Sequence, residues 1–149
     1  MGAGGAGTKR INLLYTAEAT VSGGRRGYGR TSDGRLDVQF SSPLEMGGPG
    51  GTGTNPEQLF ALGYAACFQS TLIEAARRES LNADDSRVTA RVGIGQAGND
   101  RMGLAVEIVV HMPSVTDPRK AQLLVNQADQ RCPYSNAIRG NVDVKLIIL

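Results

Sequence analysis

The sequence has no tryptophan, one histidine and two cysteines, and aromatic residues make up only 5% of its 149 positions. The cysteines, Cys67 and Cys132, are far apart in the chain, and His111 has no second histidine near it. Metal sites normally show closely spaced cysteine or histidine pairs, so no metal is expected here. With few aromatics, the volume of the core must come from aliphatic side chains.

Long apolar runs, export signals and strong charge are also lacking. No run approaches the roughly 20 apolar residues of a membrane span, so no membrane association is expected. The formal net charge of +2 is too small to indicate nucleic acid binding. Residues 1–10 are glycine-rich, lack the apolar core of a signal peptide and are predicted to form a flexible tail. We therefore expect a cytoplasmic protein, in which cysteines stay reduced or cycle as a redox pair.

What remains has the composition of an ordinary globular protein, with 40% hydrophobic and 20% charged residues. A single domain is expected over residues 11–149. Alternation and β-forming residues predict six strands, over residues 11–22, 28–31, 36–41, 88–94, 104–111 and 142–149. Helical spacing predicts two helices, from Asn55 to Arg77 and from Asp117 to Arg131, with Pro133 ending the second. The order βββ-α-ββ-α-β predicts an α+β fold with antiparallel sheets.

The first helix is the most distinctive element. Asn55 is placed to cap it and Pro56 to occupy its first position, and both are favoured there. From Leu59 to Ala76 the ionisable side chains are Tyr64, Cys67 and Glu74 alone. A helix that is apolar almost all round is typical of an interior, so we expect a long buried central helix.

A glycine-rich segment, Gly48-Pro-Gly-Gly-Thr-Gly53, leads into this helix and matches the G-x-G-x-x-G pattern of dinucleotide sites. Those sites also need a compact βαβ unit with an acidic residue about 20 positions further on, which this chain lacks. No Lys-Ser or Lys-Thr pair follows, as a phosphate-binding loop would require. The segment is better interpreted as a compact loop in which glycine lets backbone segments approach closely.

Cys67 could be an inert buried residue, as free cysteines often are. In mid-helix it gains little from the helix dipole, and apolar surroundings raise the pKa of a thiol. To react, it needs a fixed cation, and arginine keeps its charge when buried. Arg25 and Arg26 are the candidates, with Glu57 as the acceptor; alternatively, the arginines are solvated turn residues and Glu57 a charge at a helix start.

Helix geometry limits how these parts can meet. Glu57 and Cys67 are about 15 Å apart along a straight helix and point about 80° apart. Either an extended arginine bridges them, or the parts come from two chains. Cys132 follows the second helix, where carbonyl partial charges disfavour a thiolate. If the two sulfurs meet, Cys67 is better suited to attack and Cys132 to resolve.

Three segments closely resemble the Ohr (organic hydroperoxide resistance) proteins of the OsmC/Ohr family: Gly47-Gly-Pro-Gly-Gly-Thr-Gly-Thr-Asn-Pro-Glu-Gln-Leu-Phe-Ala61, Gly63-Tyr-Ala-Ala-Cys-Phe68 and Arg131-Cys-Pro-Tyr-Ser-Asn-Ala137. The resemblance covers the chain from about Ile11 to Leu149. It implies an OsmC-like fold in an intertwined homodimer. It also implies that the catalytic arginine is Arg25 rather than Arg26, and that Glu57 pairs with it.

The activity that this resemblance implies is a thiol-dependent peroxidase for organic hydroperoxides, including those of fatty acids, in oxidative stress defence. The Cys67 thiolate would attack the peroxide and form a sulfenic acid, which Cys132 would convert to a disulfide. No cofactor would be bound, and dihydrolipoyl groups on a lipoylated protein would reduce the disulfide. Met46, Phe60 and Phe68 are candidates for an apolar substrate channel.

Two other functions are compatible with the sequence. One is a peroxidase of the OsmC branch, with a different peroxide preference. The loop Gly47-Gly-Pro-Gly-Gly51 and the segment Cys132-Pro-Tyr-Ser135 favour Ohr over that branch. The other is a non-enzymatic stress or binding protein in which both cysteines are inert.

Overall fold

The computed structural model describes residues 10–149. The predicted tail therefore lies, except for Arg10, outside the described residues. The chain divides into two compact units, the first ending at Thr54 and the second spanning Asn55–Leu149, and each is described by itself. That residues 11–149 form a single domain stays a prediction.

The first unit contains a three-stranded antiparallel meander of β1 (Ala19–Ser22), β2 (Tyr28–Thr31) and β3 (Asp37–Gln39), in that order. Three strands in antiparallel pairing were predicted here, and β2 has the predicted bounds. The first strand was predicted too long, because only Ala19–Ser22 finds partners along the four residues of β2. Before that ladder the chain stays exposed, including the large side chains of Leu13 and Leu14.

The turn between β1 and β2 has a conformation that requires glycine. Gly23 has a positive φ of 82°, and a short 3-10 turn, Gly24–Arg26, follows it. A Cβ atom at Gly27 would lie 1.7 Å from the carbonyl oxygen of Ser22, which no side chain tolerates. The turn therefore fixes the position at which Arg25 leaves the backbone.

The glycine-rich loop before the first long helix is packed closely on its own unit. A Cβ atom would lie 2.3 Å from Ser42 Cβ if added at Gly48, and 2.6 Å from the Phe40 carbonyl carbon if added at Gly53. Phe40 also forms a parallel bridge with Thr54. The interpretation of this loop as a site of close backbone approach is confirmed.

The second unit consists of three helices and a three-stranded sheet. Its elements are α1 (Pro56–Arg78), β4 (Arg87–Gln96), β5 (Met102–His111), α2 (Pro118–Arg131), α3 (Pro133–Ile138) and β6 (Val144–Ile148). The α+β class is confirmed, but α3 was not predicted, and the predicted order lacks it. Pro133 does end α2, and it also begins α3, since proline is favoured at a first helical position.

The prediction of antiparallel sheets is wrong for the second sheet. Its strand order is β4-β5-β6, with β4 and β5 antiparallel but β5 and β6 parallel. The reason is the connection: α2 and α3 lie between β5 and β6, and a helical crossover lets the chain return in the same direction. Alternating residues of β5 (Val106, Ile108 and Val110) are buried on one face of this sheet. The core contains this face together with buried residues of α1 and α2.

α1 begins as predicted, with the Gln58 N–H donating to the Asn55 side chain at 2.8 Å. Its side bearing Tyr64, Phe68 and Leu72 is fully buried. The opposite side is not, so the prediction of a buried helix holds for one side of the single chain. We call its exposed residues at four-residue spacing, Leu62, Ala66 and Ser70, the exposed stripe.

The expectation that no segment could span a membrane is corrected by α1, whose 23 residues are long and apolar enough to do so. Core helices of soluble proteins meet the same criterion. In this chain Tyr64, Phe68 and Leu72 belong to the hydrophobic core that includes β5 and α2. Packing within the second unit therefore accounts for the apolar residues on this side of α1.

Candidate active site

The two cysteines meet inside the second unit. Both are free thiols; Cys67 is half-buried in the middle of α1, and Cys132 is fully buried between α2 and α3. The two thiols hydrogen-bond to each other. Packing of α2 and α3 against α1 thus brings together two residues that are distant in sequence.

The surroundings of Cys67 favour its protonated form. Burial raises the pKa of the Cys67 thiol above its ordinary value of 9.0, and the neighbouring Cys132 sulfur raises it further. The backbone N–H of Tyr134 donates to the Cys67 sulfur and opposes this shift, but does not outweigh it. These residues alone would leave Cys67 a neutral thiol at pH 7, whereas the nucleophile is the thiolate.

Cys132 lies at a corner that the sequence did not reveal. The Cys132 N–H donates to the Ala128 carbonyl at 2.8 Å, at the end of α2. The Cys132 carbonyl accepts from the Asn136 N–H at 2.9 Å, at the start of α3. The prediction that Cys132 lies at the C-terminal end of the second helix is confirmed, but the same residue also precedes α3. Because the first N–H groups of a helix have no partner within it, the Tyr134 N–H in the first turn of α3 is available to Cys67.

An aromatic cluster lies beside the thiols. The rings of Phe60, Tyr64 and Tyr134 are in mutual contact, with centroids 5.6–6.1 Å apart. Gly63 lets Tyr134 approach α1, because a Cβ atom there would lie 2.6 Å from the tyrosine oxygen. Of the predicted channel residues, Phe60 is in this cluster, and Phe68 is fully buried in the core. Met46 belongs to the first unit, where it is 39% exposed.

Sequence reasoning missed a buried hydrogen bond between the hydroxyls of Tyr64 and Ser135, whose oxygens are 2.6 Å apart. Burial raises the pKa of the Tyr64 hydroxyl, so it stays neutral. The available signal was spacing: Tyr64 is three residues before Cys67, and Ser135 three residues after Cys132.

Arg25 and Glu57 belong to different units. Arg25 is half-buried in the turn after β1, with its guanidinium Nη1 3.9 Å from Met46 Sδ, while the neighbouring Arg26 is exposed. Glu57 is half-buried in the first turn of α1. The catalytic roles of Arg25 and Glu57 stay predictions.

Between residues 10 and 149 no group of three or more histidine, cysteine, aspartate or glutamate residues could hold a metal ion. His111 is exposed at the end of β5.

Comparison with known proteins decides the family. The family model for OsmC-like protein matches residues 48–147. The chain belongs to the OsmC/Ohr family. It is 47% identical over 137 residues to the organic hydroperoxide resistance protein of Xanthomonas axonopodis pv. citri (91% of this chain and 95% of that protein). It is also 45% identical over 134 residues to OhrB of Bacillus subtilis (89% and 96%).

Solved structures agree with this assignment. A putative organic hydroperoxide resistance protein of Vibrio cholerae, with captopril bound in one of the active sites, superposes with a TM-score of 0.88. It is 44% identical, and the match covers 94% of this chain and 95% of that one. An OsmC-like protein of Mycoplasma pneumoniae is only 13% identical, with a TM-score of 0.71, and shares the fold alone. Within the family, the chain is thus an Ohr protein.

The cause of the raised pKa of Cys67 can be tested by alkylation. Removing the Cys132 sulfur in Cys132→Ala removes two of its causes, so the midpoint pH for alkylation of Cys67 should fall below that of the wild type. Peptide mass spectrometry over a series of pH values measures that midpoint. The control is Val125→Ala, a comparable truncation of a buried residue on α2, which should leave it unchanged. An equal or higher midpoint in Cys132→Ala would contradict this account.

Proposed function

We propose that this protein is a thiol-dependent peroxidase that reduces organic hydroperoxides, including those of fatty acids, to alcohols. The observation that carries the proposal is the pair of free, hydrogen-bonded thiols, one half-buried and one fully buried. The relatives with which it shares 45–47% identity are organic hydroperoxide resistance proteins, which supports the substrate class and a role in oxidative stress defence.

The first step uses Cys67, the thiol that is not fully buried. Its thiolate attacks the distal oxygen of the hydroperoxide, the O–O bond breaks, and the alcohol leaves after taking up a proton. Sulfur is oxidised to a sulfenic acid as the peroxide is reduced. The thiol of Cys132 then attacks the Cys67 sulfur, a disulfide forms, and the hydroxyl group leaves as water.

A dithiol must then reduce the disulfide, and we propose the dihydrolipoyl group of a lipoylated protein in the cytoplasm. Two thiols on one flexible arm release the enzyme by two successive thiol–disulfide exchanges. The enzyme needs no bound cofactor for this cycle, since both electrons arrive from the dithiol and leave with the peroxide.

Arg25 is proposed to supply the positive charge that Cys67 needs, and Glu57 to hold the arginine by an ion pair. The reason is electrostatic: burial and Cys132 raise the pKa of Cys67, and a fixed cation would lower it. Arg25 is half-buried on a turn whose shape glycine fixes, whereas Arg26 is exposed. A guanidinium also keeps its charge when it is partly desolvated.

We also propose that the protein works as an intertwined homodimer, with an apolar channel that Met46, Phe60 and Phe68 help to line. The exposed stripe on α1, where Leu62 is 70% exposed, supports burial against a second chain. The Vibrio cholerae structure has captopril in one of the active sites and thus holds more than one such site.

One observation favours a different function. The raised pKa of Cys67 is also what a non-enzymatic stress or binding protein with inert cysteines would show. A peroxidase of the OsmC branch, with another peroxide preference, is a further alternative. Turnover measurements distinguish all three functions.

The main experiment measures turnover with dihydrolipoamide, comparing cumene hydroperoxide with hydrogen peroxide. We expect the organic peroxide to be preferred and Cys67→Ser to abolish turnover. Cys132→Ser should undergo one oxidation per chain but form no intramolecular disulfide, as mass spectrometry will show. A preference for hydrogen peroxide would favour the OsmC alternative, and absence of turnover in the wild type would favour inert cysteines.

Replacing Arg25 tests the proposed cation. We expect Arg25→Ala to slow the oxidation of Cys67 by more than tenfold, because one charge-assisted contact is worth about 1.5–3 kcal/mol. Stopped-flow measurement of the first step gives the rate of Cys67 oxidation directly. Arg26→Ala is the matched control, one residue away on the same turn, and should keep the wild-type rate. Equal rates in Arg25→Ala and wild type would remove arginine from the mechanism.

Sedimentation equilibrium tests the homodimer. We expect a dimer at micromolar concentration, and weaker association in Leu62→Glu, which places a charge on the exposed stripe. Leu123→Glu, on an exposed position of α2, is the control and should associate like the wild type. A monomeric wild type would contradict the proposed assembly.

A further inference from the structure

We propose that the buried hydrogen bond between Tyr64 and Ser135 is a positioning device, which holds Cys132 where it can close the disulfide with Cys67. This inference rests on the proposed peroxidase function and assigns two further residues to it. Neither hydroxyl takes part in the chemical steps described above. Their role follows from where they lie relative to the two sulfurs.

The hydroxyl pair and the thiol pair connect the same two segments of the chain. Tyr64 precedes Cys67 by three residues on α1, and residues at that spacing lie on one face of a helix. Ser135 follows Cys132 by three residues, in the first turn of α3. The segment Cys132–Ser135 is therefore joined to α1 at both of its ends, by sulfur at one and by oxygen at the other.

The hydroxyl pair is well protected from water. Tyr64 is fully buried, Ser135 is 3% exposed, and their oxygens are only 2.6 Å apart. Separating the pair would leave two buried hydroxyls unsatisfied, which is costly. Gly63 adds a steric constraint beside it, because the Tyr134 ring occupies the space where a Cβ atom would be.

α3 needs such a constraint because it has only six residues. A helix of that length is not stable on its own, so its contacts with neighbouring elements must fix its position. Disulfide formation is demanding, since the two Cα atoms must come within about 4.4–6.8 Å in a narrow range of orientations. A loosened α3 would remove the restraint on the carbonyl side of Cys132, which the Asn136 N–H provides, and leave the residue held from α2 alone.

The position of Cys132 decides between two fates of the Cys67 sulfenic acid. In one, the Cys132 thiol attacks the sulfur, forming the disulfide and releasing water. In the other, a second hydroperoxide oxidises the sulfenic acid to sulfinic acid and is itself reduced to alcohol. The first rate depends on the effective concentration of Cys132 at the sulfur, and the second on the hydroperoxide concentration.

The test is to remove each hydroxyl and count the sulfinic acid formed per turnover at a fixed hydroperoxide concentration. We expect Tyr64→Phe and Ser135→Ala each to raise the sulfinic fraction of Cys67 about tenfold. The double variant should be no worse than the worse single variant, because both changes break one interaction. An unchanged sulfinic fraction in both single variants would overturn the inference.

A control separates positioning from general loss of stability. Ile108→Val removes one buried methylene group on β5, outside the two helical segments that the bond joins. It should lower the melting temperature but keep the wild-type sulfinic fraction. If Ile108→Val raised that fraction as much as Tyr64→Phe at an equal loss of melting temperature, positioning would be refuted.

A second measurement needs no peroxide. Equilibration with oxidised and reduced dithiothreitol gives the stability of the Cys67–Cys132 disulfide, which we expect to fall about tenfold in each single variant. If the wild type shows no peroxidase turnover but the variants shift this equilibrium, the proposed function fails and the positioning role stands. If the wild type turns over and the equilibrium is the same in all variants, the positioning role fails alone.

Discussion

The protonation of Cys67 is the constraint on which the rest of the site depends. Cys67 can contact the buried Cys132 only if it is itself partly buried. Burial and the Cys132 sulfur both raise the pKa of the Cys67 thiol. The Tyr134 N–H, a helix-terminal donor without an intrahelical partner, offsets only part of this effect. The second unit thus provides proximity between the sulfurs but not ionisation. In the proposed mechanism a permanent cation supplies the missing stabilisation, which is why an arginine is required and a titrating histidine would serve less well.

The corner between α2 and α3 meets the other requirement of the proposed mechanism, which is a second thiol at a fixed place. Cys132 is held by backbone hydrogen bonds on both sides, to Ala128 before it and from Asn136 after it. Pro133 makes the corner possible, because it cannot extend α2 but is suited to the first position of α3. The four residues Cys132–Ser135 thereby place three groups against α1: the Cys132 sulfur, the Tyr134 N–H for Cys67 and the Ser135 hydroxyl for Tyr64. This compactness is the reason why so short a helix could govern the proposed disulfide step.

Local signals in the sequence predicted what depends on local chemistry. Asn55 and Pro56 marked the start of α1, and alternation with β-forming residues marked β2 with its observed bounds. Features that depend on distant partners were missed. The direction of β6 depends on the crossover before it, and the short length of β1 depends on how far β2 can pair. The bond between Tyr64 and Ser135 was missed for the same reason: the spacing of Tyr64 from Cys67 is visible in the sequence, but its partner Ser135 is 71 residues away and is brought to it only by the fold.

Cys67 also borders the part of α1 that the single chain leaves exposed. Ala66 of the exposed stripe precedes Cys67 by one residue, and Ser70 follows it by three. Successive residues are about 100° apart around a helix axis, so the Cys67 side chain lies beside the stripe. On its other side, the fully buried residues Tyr64 and Phe68 close the route through the core. In the proposed mechanism, a hydroperoxide would therefore reach Cys67 from the side of the stripe. If the proposed homodimer covers the stripe, the covering surface also shapes the route to the sulfur, so the proposed assembly and the proposed substrate preference would depend on the same side of this helix.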